Sequence, residues 1–158
     1  MNHSEYCLIH ANIAVARESL DHPAMNDFVQ MADELDQIAR NSPGFISQPT
    51  PGDEGSIFTG KHLLNVSIWD SVESLEDFTY SNQHELALAR REEWFVQGER
   101  YNYVLYWAKR GHLPTEKEVM ERLDHLRKNG PSPFAFTFGD MFSVEESTNY
   151  DSNSAADR

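Results

Sequence analysis

The chain has 158 residues, of which 39% are apolar and 25% charged, and 26 acidic against 13 basic residues give a formal net charge of −13. This length fits one domain with a real hydrophobic core. The charge disfavours nucleic acids and anionic membrane surfaces as partners. No apolar run approaches the roughly 20 residues that cross a bilayer. The N-terminus lacks a signal-peptide pattern, and the lone Cys7 cannot form an internal disulfide, so a cytoplasmic protein is expected.

Four segments show the alternation of apolar and other residues that is typical of a β-strand. They cover residues 6–15, 45–48, 63–69 and 101–108. In the first strand Cys7, Ile9 and Ala11 share one face, while His10 and Asn12 share the other.

Three helices are predicted between and after these strands. The first begins at about residue 21 and ends at 41–44, with an apolar stripe from Phe28 to Ala39. The second begins at Asp70, which with Glu73 fits a capping box. A bend at residues 81–82 then leads into a segment over about 83–95. The third begins at the Thr115 capping box and ends at residues 130–131.

The predicted order is β-α-β-β-α-β, followed by an added helix and an aromatic arm. This order is typical of a ferredoxin-like α+β domain with an antiparallel sheet. Helices cover one face of such a sheet, and the other face is apolar here too, which predicts a homodimer through that open face. The domain is expected over residues 1–143. Residues 144–158, rich in Ser, Asn and Asp, are expected to form a disordered acidic tail.

The segment from Leu64 to Leu75, with Phe78, Ser81 and His84 beyond it, resembles a hallmark of the dimeric α+β barrel superfamily, in which a strand ending in Trp-x-Ser leads into a helix. That superfamily includes antibiotic-biosynthesis monooxygenases, small cyclases and isomerases, chlorite dismutase-like haem proteins and stress-response barrels. Residues 90–95, 111–115 and 130–138 are similar to a bacterial domain-of-unknown-function family. The resemblance spans roughly residues 6–143 and implies the fold; it carries over no catalytic set.

A polar group is predicted on one face of the sheet, because the first and third strands are adjacent in the ferredoxin-like order. Such a group could orient a small organic molecule in an otherwise apolar pocket. The alternative is that these side chains face solvent or satisfy one another. The candidate binding residues are the polar and aromatic side chains on these strands: His10, Asn12, Ser67, Trp69 and Trp107, with Asn65 among the catalytic candidates.

The candidate acid or base is His84, which on an ideal helix shares a face with Tyr80 and Arg91. Asn65, Asn12 and Arg91 would orient the substrate and Tyr80 would contact it. The alternative is an exposed histidine on a solvated helix face. With the resemblance, this implies an enzyme, a cofactor-independent monooxygenase, isomerase or cyclase acting on an apolar or aromatic metabolite. The alternatives are a non-catalytic small-molecule or haem-binding protein and a dimer without a ligand.

No metal site is expected from the seven histidines and the single cysteine. The histidines lack the i, i+4 pair of a helical zinc site. No cofactor is therefore predicted, although one axial histidine such as His84 would suffice to hold haem. Cys7 is interpreted as a small buried hydrophobe.

Overall fold

A computed structural model of the chain describes residues 5–49, 62–81, 86, 89–97 and 101–156. Its strands are β1 Tyr6–Val15, β2 Phe45–Ser47, β3 His62–Trp69 and β4 Tyr103–Lys109. A short 3-10 turn, Pro23–Met25, precedes the first helix. The helices are α1 Asn26–Arg40, α2 Val72–Thr79, α3 Arg91–Trp94, α4 Glu116–Asn129 and α5 Val144–Ala156.

The sheet has four antiparallel strands in the order β2-β3-β1-β4. This order, with the β-α-β-β-α-β succession, is the ferredoxin-like topology and confirms the predicted fold class. β1 is central and pairs along its length with both β3 and β4. We call the sheet face that carries Leu8, His10 and Asn12 the front face, and the face that carries Cys7, Ile9 and Ala11 the back face.

The front face is covered by α1, α2 and the aromatic arm. Its core joins one residue of α1 and one of α2 to the three long strands and the arm: Leu8, Ala39, Trp69, Leu75, Leu105 and Phe136. Phe136 extends the sheet beyond β4, because its N–H and carbonyl both bond to Leu105, at 3.0 and 2.8 Å. This core occupies one end of the front face, and the polar residues Asn12 of β1 and Asn65 of β3 lie next to it.

The back face is covered by α4, which corrects the expectation of an open apolar face. Val119, Leu123 and Leu126 of α4 are fully buried against the sheet. The sheet residues beneath them are at most 4% exposed within the single chain: Cys7, Ile9, Ala11, Val66, Ile68, Val104 and Tyr106. The physical reason is that the amphipathic α4 packs across this face and buries its own stripe there. The open-face argument for a homodimer therefore does not hold.

Helix capping agrees with the sequence at α4 and differs at α2. Thr115 Oγ1 accepts from the Glu118 N–H at 3.1 Å, as the predicted capping box requires. At α2 the cap is Ser71, whose Oγ accepts from the Ser74 N–H at 3.2 Å. The capping interaction predicted for Asp70 is not formed, because the Asp70 carboxylate pairs with Arg110.

Helix α5 occupies the region where composition predicts a disordered tail. Val144 and Ser147 are buried, and Ser147 Oγ donates to the Pro133 carbonyl at 2.9 Å. One turn later, the Tyr150 hydroxyl lies 3.3 Å from Nε2 of His125 on α4. The spacing i, i+3, i+6 places these three side chains on one side of the helix, which docks them against α4 and the arm.

The helical segment predicted over about 83–95 is only partly described. α2 ends at Thr79, and α3 covers Arg91–Trp94. Trp94 is buried, and its carbonyl accepts from the Arg17 N–H at 2.7 Å just beyond the end of β1. Within the described ranges no helix is long and apolar enough to cross a membrane.

Candidate functional site

Three polar side chains lie next to one another across the front face, one on each of the three long strands. Asn12 on β1 pairs with Asn65 on β3 and with Tyr103 on β4. Residues directly opposite each other on antiparallel strands have Cβ atoms about 4.5–5.5 Å apart. We call Asn12, Asn65 and Tyr103 the polar row. Asn12 and Tyr103 are half-buried and Asn65 is exposed, so the row is open to an entering molecule.

Gln48, immediately after β2, extends the polar row towards α1. Its Nε2 donates to Asn65 Oδ1 at 2.9 Å and to Asp36 Oδ1 at 3.0 Å. A carboxylate can only accept, so the contact with Asp36 fixes which end of the Gln48 amide points there. The Gln48 carbonyl oxygen must therefore point away from both partners.

Two amide oxygens beside Asn65 are buried and have no hydrogen-bond partner among the residues that the structure describes. They are Asn12 Oδ1 and Gln48 Oε1. A buried acceptor left unpaired costs about 1–3 kcal/mol, and native proteins contain few of them. The two oxygens flank Asn65, because Asn12 pairs with Asn65 across β1 and β3 and Gln48 bonds to it from the β2 side.

Aromatic rings border the polar row on the β4 side. The Tyr103 ring lies 5.8 Å from that of His10 and 5.9 Å from that of Phe138, and Phe138 in turn lies 6.2 Å from Tyr80. The Tyr103 hydroxyl accepts from the Phe138 N–H at 3.2 Å. Burial raises the pKa of the Tyr103 phenol above its ordinary value, and hydrogen bonds with the Phe138 backbone and the Thr137 side chain oppose that rise.

Three of the predicted binding residues lie in the front-face core. Trp69 is fully buried, and its Nε1 donates to Ser67 Oγ at 2.9 Å, which engages the indole N–H and the hydroxyl with each other. Trp107 is half-buried, and its Nε1 donates to the Phe142 carbonyl at 2.8 Å. The polar atoms of Trp69, Ser67 and Trp107 are thus engaged within the protein, and the role of these residues in ligand binding stays a prediction.

The predicted catalytic residues Asn65 and Arg91 lie on different elements, β3 and α3. Arg91 is exposed at the start of α3, beyond the end of β1. Tyr80 is 59% exposed at the end of α2, and its ring lies 6.2 Å from that of Phe138. His84 lies outside the described residues, so its predicted role as acid or base stays a prediction.

A small cavity lies on the back-face side of the sheet, near Cys7. Its volume is about 110 Å³, and Ile46, Arg110 and Leu113 are among its lining residues. Pockets for small organic ligands usually measure about 300–1,000 Å³, so this cavity is small for such a ligand. Burial raises the pKa of the Cys7 thiol, which makes Cys7 a poor nucleophile.

The described residues offer no cluster of ligands for a metal ion. No group of three or more His, Cys, Asp or Glu side chains among them could hold a metal. His22, His112 and His125 have ring nitrogens bonded to protein groups, and His10 lies against Tyr103. The histidine predicted as a possible axial ligand, His84, lies outside the described residues, so haem binding stays a prediction.

Sequence reasoning misses Gln48 and Asp36, and it places Tyr103 among the aromatic residues that could enclose a substrate but are expected mainly to pack. A signal for Tyr103 exists, because alternation along β4 places it on the face of Trp107. No sequence signal exists for Gln48, because the β2–β3 register shifts between Phe45 and Ser47 and so changes where the residues after β2 lie.

The strand order and the helices on both faces define this chain as a ferredoxin-like α+β protein. It belongs to the family described as Domain of unknown function (DUF3291), whose model matches residues 7–152. This confirms the resemblance seen in the sequence. No curated protein matches the chain significantly.

Several solved structures are similar to the chain over about two thirds of its length. SnoaB, a cofactor-independent oxygenase from Streptomyces nogalater, is 11% identical; the match covers 68% of this chain and 97% of SnoaB, with a TM-score of 0.46. An antibiotic biosynthesis monooxygenase described as putative, from Chloroflexus aurantiacus, is 15% identical, with 68% and 96% coverage and a TM-score of 0.44. A Dabb-family protein with a ferredoxin-like fold from Mesorhizobium loti is 5% identical, with 68% and 97% coverage and a TM-score of 0.42. These similarities are distant, and they assign no activity to this chain.

Proposed function

We propose that this protein binds a small organic molecule on the front face of its sheet, at the polar row and Gln48. The observation that supports the proposal is the pair of buried, unpaired oxygens, Asn12 Oδ1 and Gln48 Oε1. A ligand that donates to both oxygens removes their desolvation cost on binding. The rings of Tyr103 and Phe138 beside them supply an apolar surface for the rest of the ligand.

The enzymatic form of the proposal is a cofactor-independent monooxygenase, isomerase or cyclase acting on an apolar or aromatic metabolite. It needs an acid or base within reach of the bound molecule. His84 is the candidate from sequence, with Asn65 and Arg91 orienting the substrate. His10 is a second candidate, because its imidazole lies beside Tyr103 at the row.

The non-catalytic form of the proposal is a small-molecule carrier on the same site. Both forms include a homodimer as an expectation of the barrel resemblance. Since α4 covers the back face, the two copies would meet through another surface. Multiple turnovers by the purified protein would exclude the carrier form.

The test is native mass spectrometry of the purified full chain, with an absorption spectrum of the same sample. We expect a bound organic mass in the wild-type protein and its loss in Asn12→Leu and Gln48→Met. Gln30→Met, an exposed glutamine on α1, is the matched control and should retain the mass. The spectrum would reveal haem by its Soret band, and the masses would report whether the protein is a dimer.

Two results would count against the proposal. If the added mass persists in both variants, the ligand binds elsewhere. If the wild-type protein carries no mass and none of a chemically varied set of small molecules shifts the side-chain amide signals of Asn12, Asn65 or Gln48 in an NMR spectrum, the row is not a binding site.

A further inference from the structure

We infer that the ligand of this site is neutral or positively charged and presents at least two N–H or O–H donors to Asn12 and Gln48, and that anionic molecules are excluded. The inference rests on the proposed function and specifies the chemistry of its ligand.

The first argument is the orientation of Gln48. Its Nε2 is engaged by two acceptors, Asp36 Oδ1 and Asn65 Oδ1. Rotating the amide by half a turn would place its oxygen against a carboxylate, so this orientation is fixed. The group that Gln48 offers to a ligand is therefore an acceptor, and the ligand must donate.

The second argument is that the free oxygens lie on both sides of Asn65. Asn12 is the strand neighbour of Asn65 across β1 and β3, and Gln48 bonds directly to it. A ligand that lies over Asn65 and carries a donor towards each side would face both oxygens. A carboxylate or phosphate has acceptors in those positions and satisfies neither oxygen.

The third argument is charge. The charged group that contacts Gln48 is the Asp36 carboxylate, and the chain carries a formal charge of −13. Both disfavour an anion at the row and favour a cation. Tyr103 belongs to the row and its ring lies 5.8 Å from that of His10, and the negative face of the tyrosine ring attracts a cationic donor.

The experiment compares benzamidine with benzoate, two probes that share a ring and differ in charge and in hydrogen-bonding sense. Each is titrated into the full chain while the side-chain amide signals of Asn12, Gln48 and Asn65 are followed by NMR. We expect benzamidine to shift these signals saturably and to bind at least tenfold more tightly than benzoate. Calcium chloride in a separate titration tests whether a bare cation satisfies the same oxygens.

Two variants make the test specific. Asn12→Asp keeps an acceptor of the same shape, so it should bind benzamidine at least as tightly as the wild-type protein does. Asn12→Leu removes the acceptor and should weaken binding at least fivefold, and circular dichroism checks that it folds. If Asn12→Asp abolishes binding, the ligand accepts a hydrogen bond from Asn12 and the inference is wrong.

The remaining outcomes separate the inference from the proposed function. If benzoate shifts the three amides at least as strongly as benzamidine does, the site binds small molecules but the inferred chemistry is overturned. Saturation by calcium without any response to benzamidine would also overturn it, in favour of an ion site. If neither probe, nor any other molecule, perturbs these amides, both the inference and the proposed function fail.

Discussion

The substitution Gly44→Ala tests how closely the backbone just before β2 packs against α2. Gly44 has a φ of +82°, and a Cβ built on it would lie 2.5 Å from the Cβ of Ser74 and would also collide with its hydroxyl. The Gly44 carbonyl accepts from the Asp70 N–H at 2.7 Å, so the backbone cannot withdraw without losing that bond. A left-handed conformation costs a residue with a Cβ about 1–2 kcal/mol, and overpacking costs about 1–3 kcal/mol. We expect the free energy of unfolding to fall by about 2–5 kcal/mol.

Urea unfolding of the full chain measures this loss, and the chain offers a matched control. Gly111 has a φ of +89° and nothing within 4 Å of the position that its Cβ would take. Gly111→Ala therefore reports the backbone cost alone, about 1–2 kcal/mol. In a double-mutant cycle, Ser74→Gly should recover the overpacking part of the loss in Gly44→Ala. If Gly44→Ala destabilises no more than Gly111→Ala does, the close packing argued here is wrong.

Three further changes test α4 and the buried tyrosines. Thr115→Ala removes the cap of α4 and should lower the free energy of unfolding by about 0.5–2 kcal/mol; no change in the urea midpoint would contradict the cap. Leu123→Ala, at a fully buried position, should cost about 2–5 kcal/mol, and a loss below about 1 kcal/mol would contradict its burial. Burial, with the nearby Glu118 carboxylate, raises the pKa of Tyr106, and burial raises that of Tyr103. Their contribution to stability is therefore full below about pH 10, the unfolded value, and is lost as pH rises above it. Tyr106→Phe should flatten the decline measured by urea unfolding over that range, and an unchanged slope would refute the assignment.

The sequence predicts the sheet well because the face on which a strand residue lies follows from the alternation of its immediate neighbours. Alternation along β1 places Cys7 and Ile9 on one face and His10 and Asn12 on the other, and the structure agrees. Adjacency of β1 and β3 then follows from the ferredoxin-like order, and it brings Asn12 beside Asn65 as predicted.

What the sequence does not predict depends on contacts between distant segments. The stripe of α4 identifies a buried helix face, but it does not say which face of the sheet that helix covers. Asp70 has the spacing of a cap, yet its carboxylate is engaged by Arg110, forty residues later. The irregular β2–β3 register is what places Gln48 beside Asn65. Helix α5 is held by contacts with Pro133 and His125, which lie in other segments of the chain.

The position of α4 over the back face has a consequence for the order in which the protein can fold during synthesis. β1 leaves the ribosome first but lies at the centre of the sheet, between two strands that are synthesised later. Even after β4 has joined it, the nascent chain presents a sheet whose back face is bare until α4 has emerged. Chains with such distant pairings fold slowly and expose apolar surface in the meantime. During the interval between the synthesis of β4 and that of α4, the growing polypeptide therefore exposes an apolar sheet face to its surroundings.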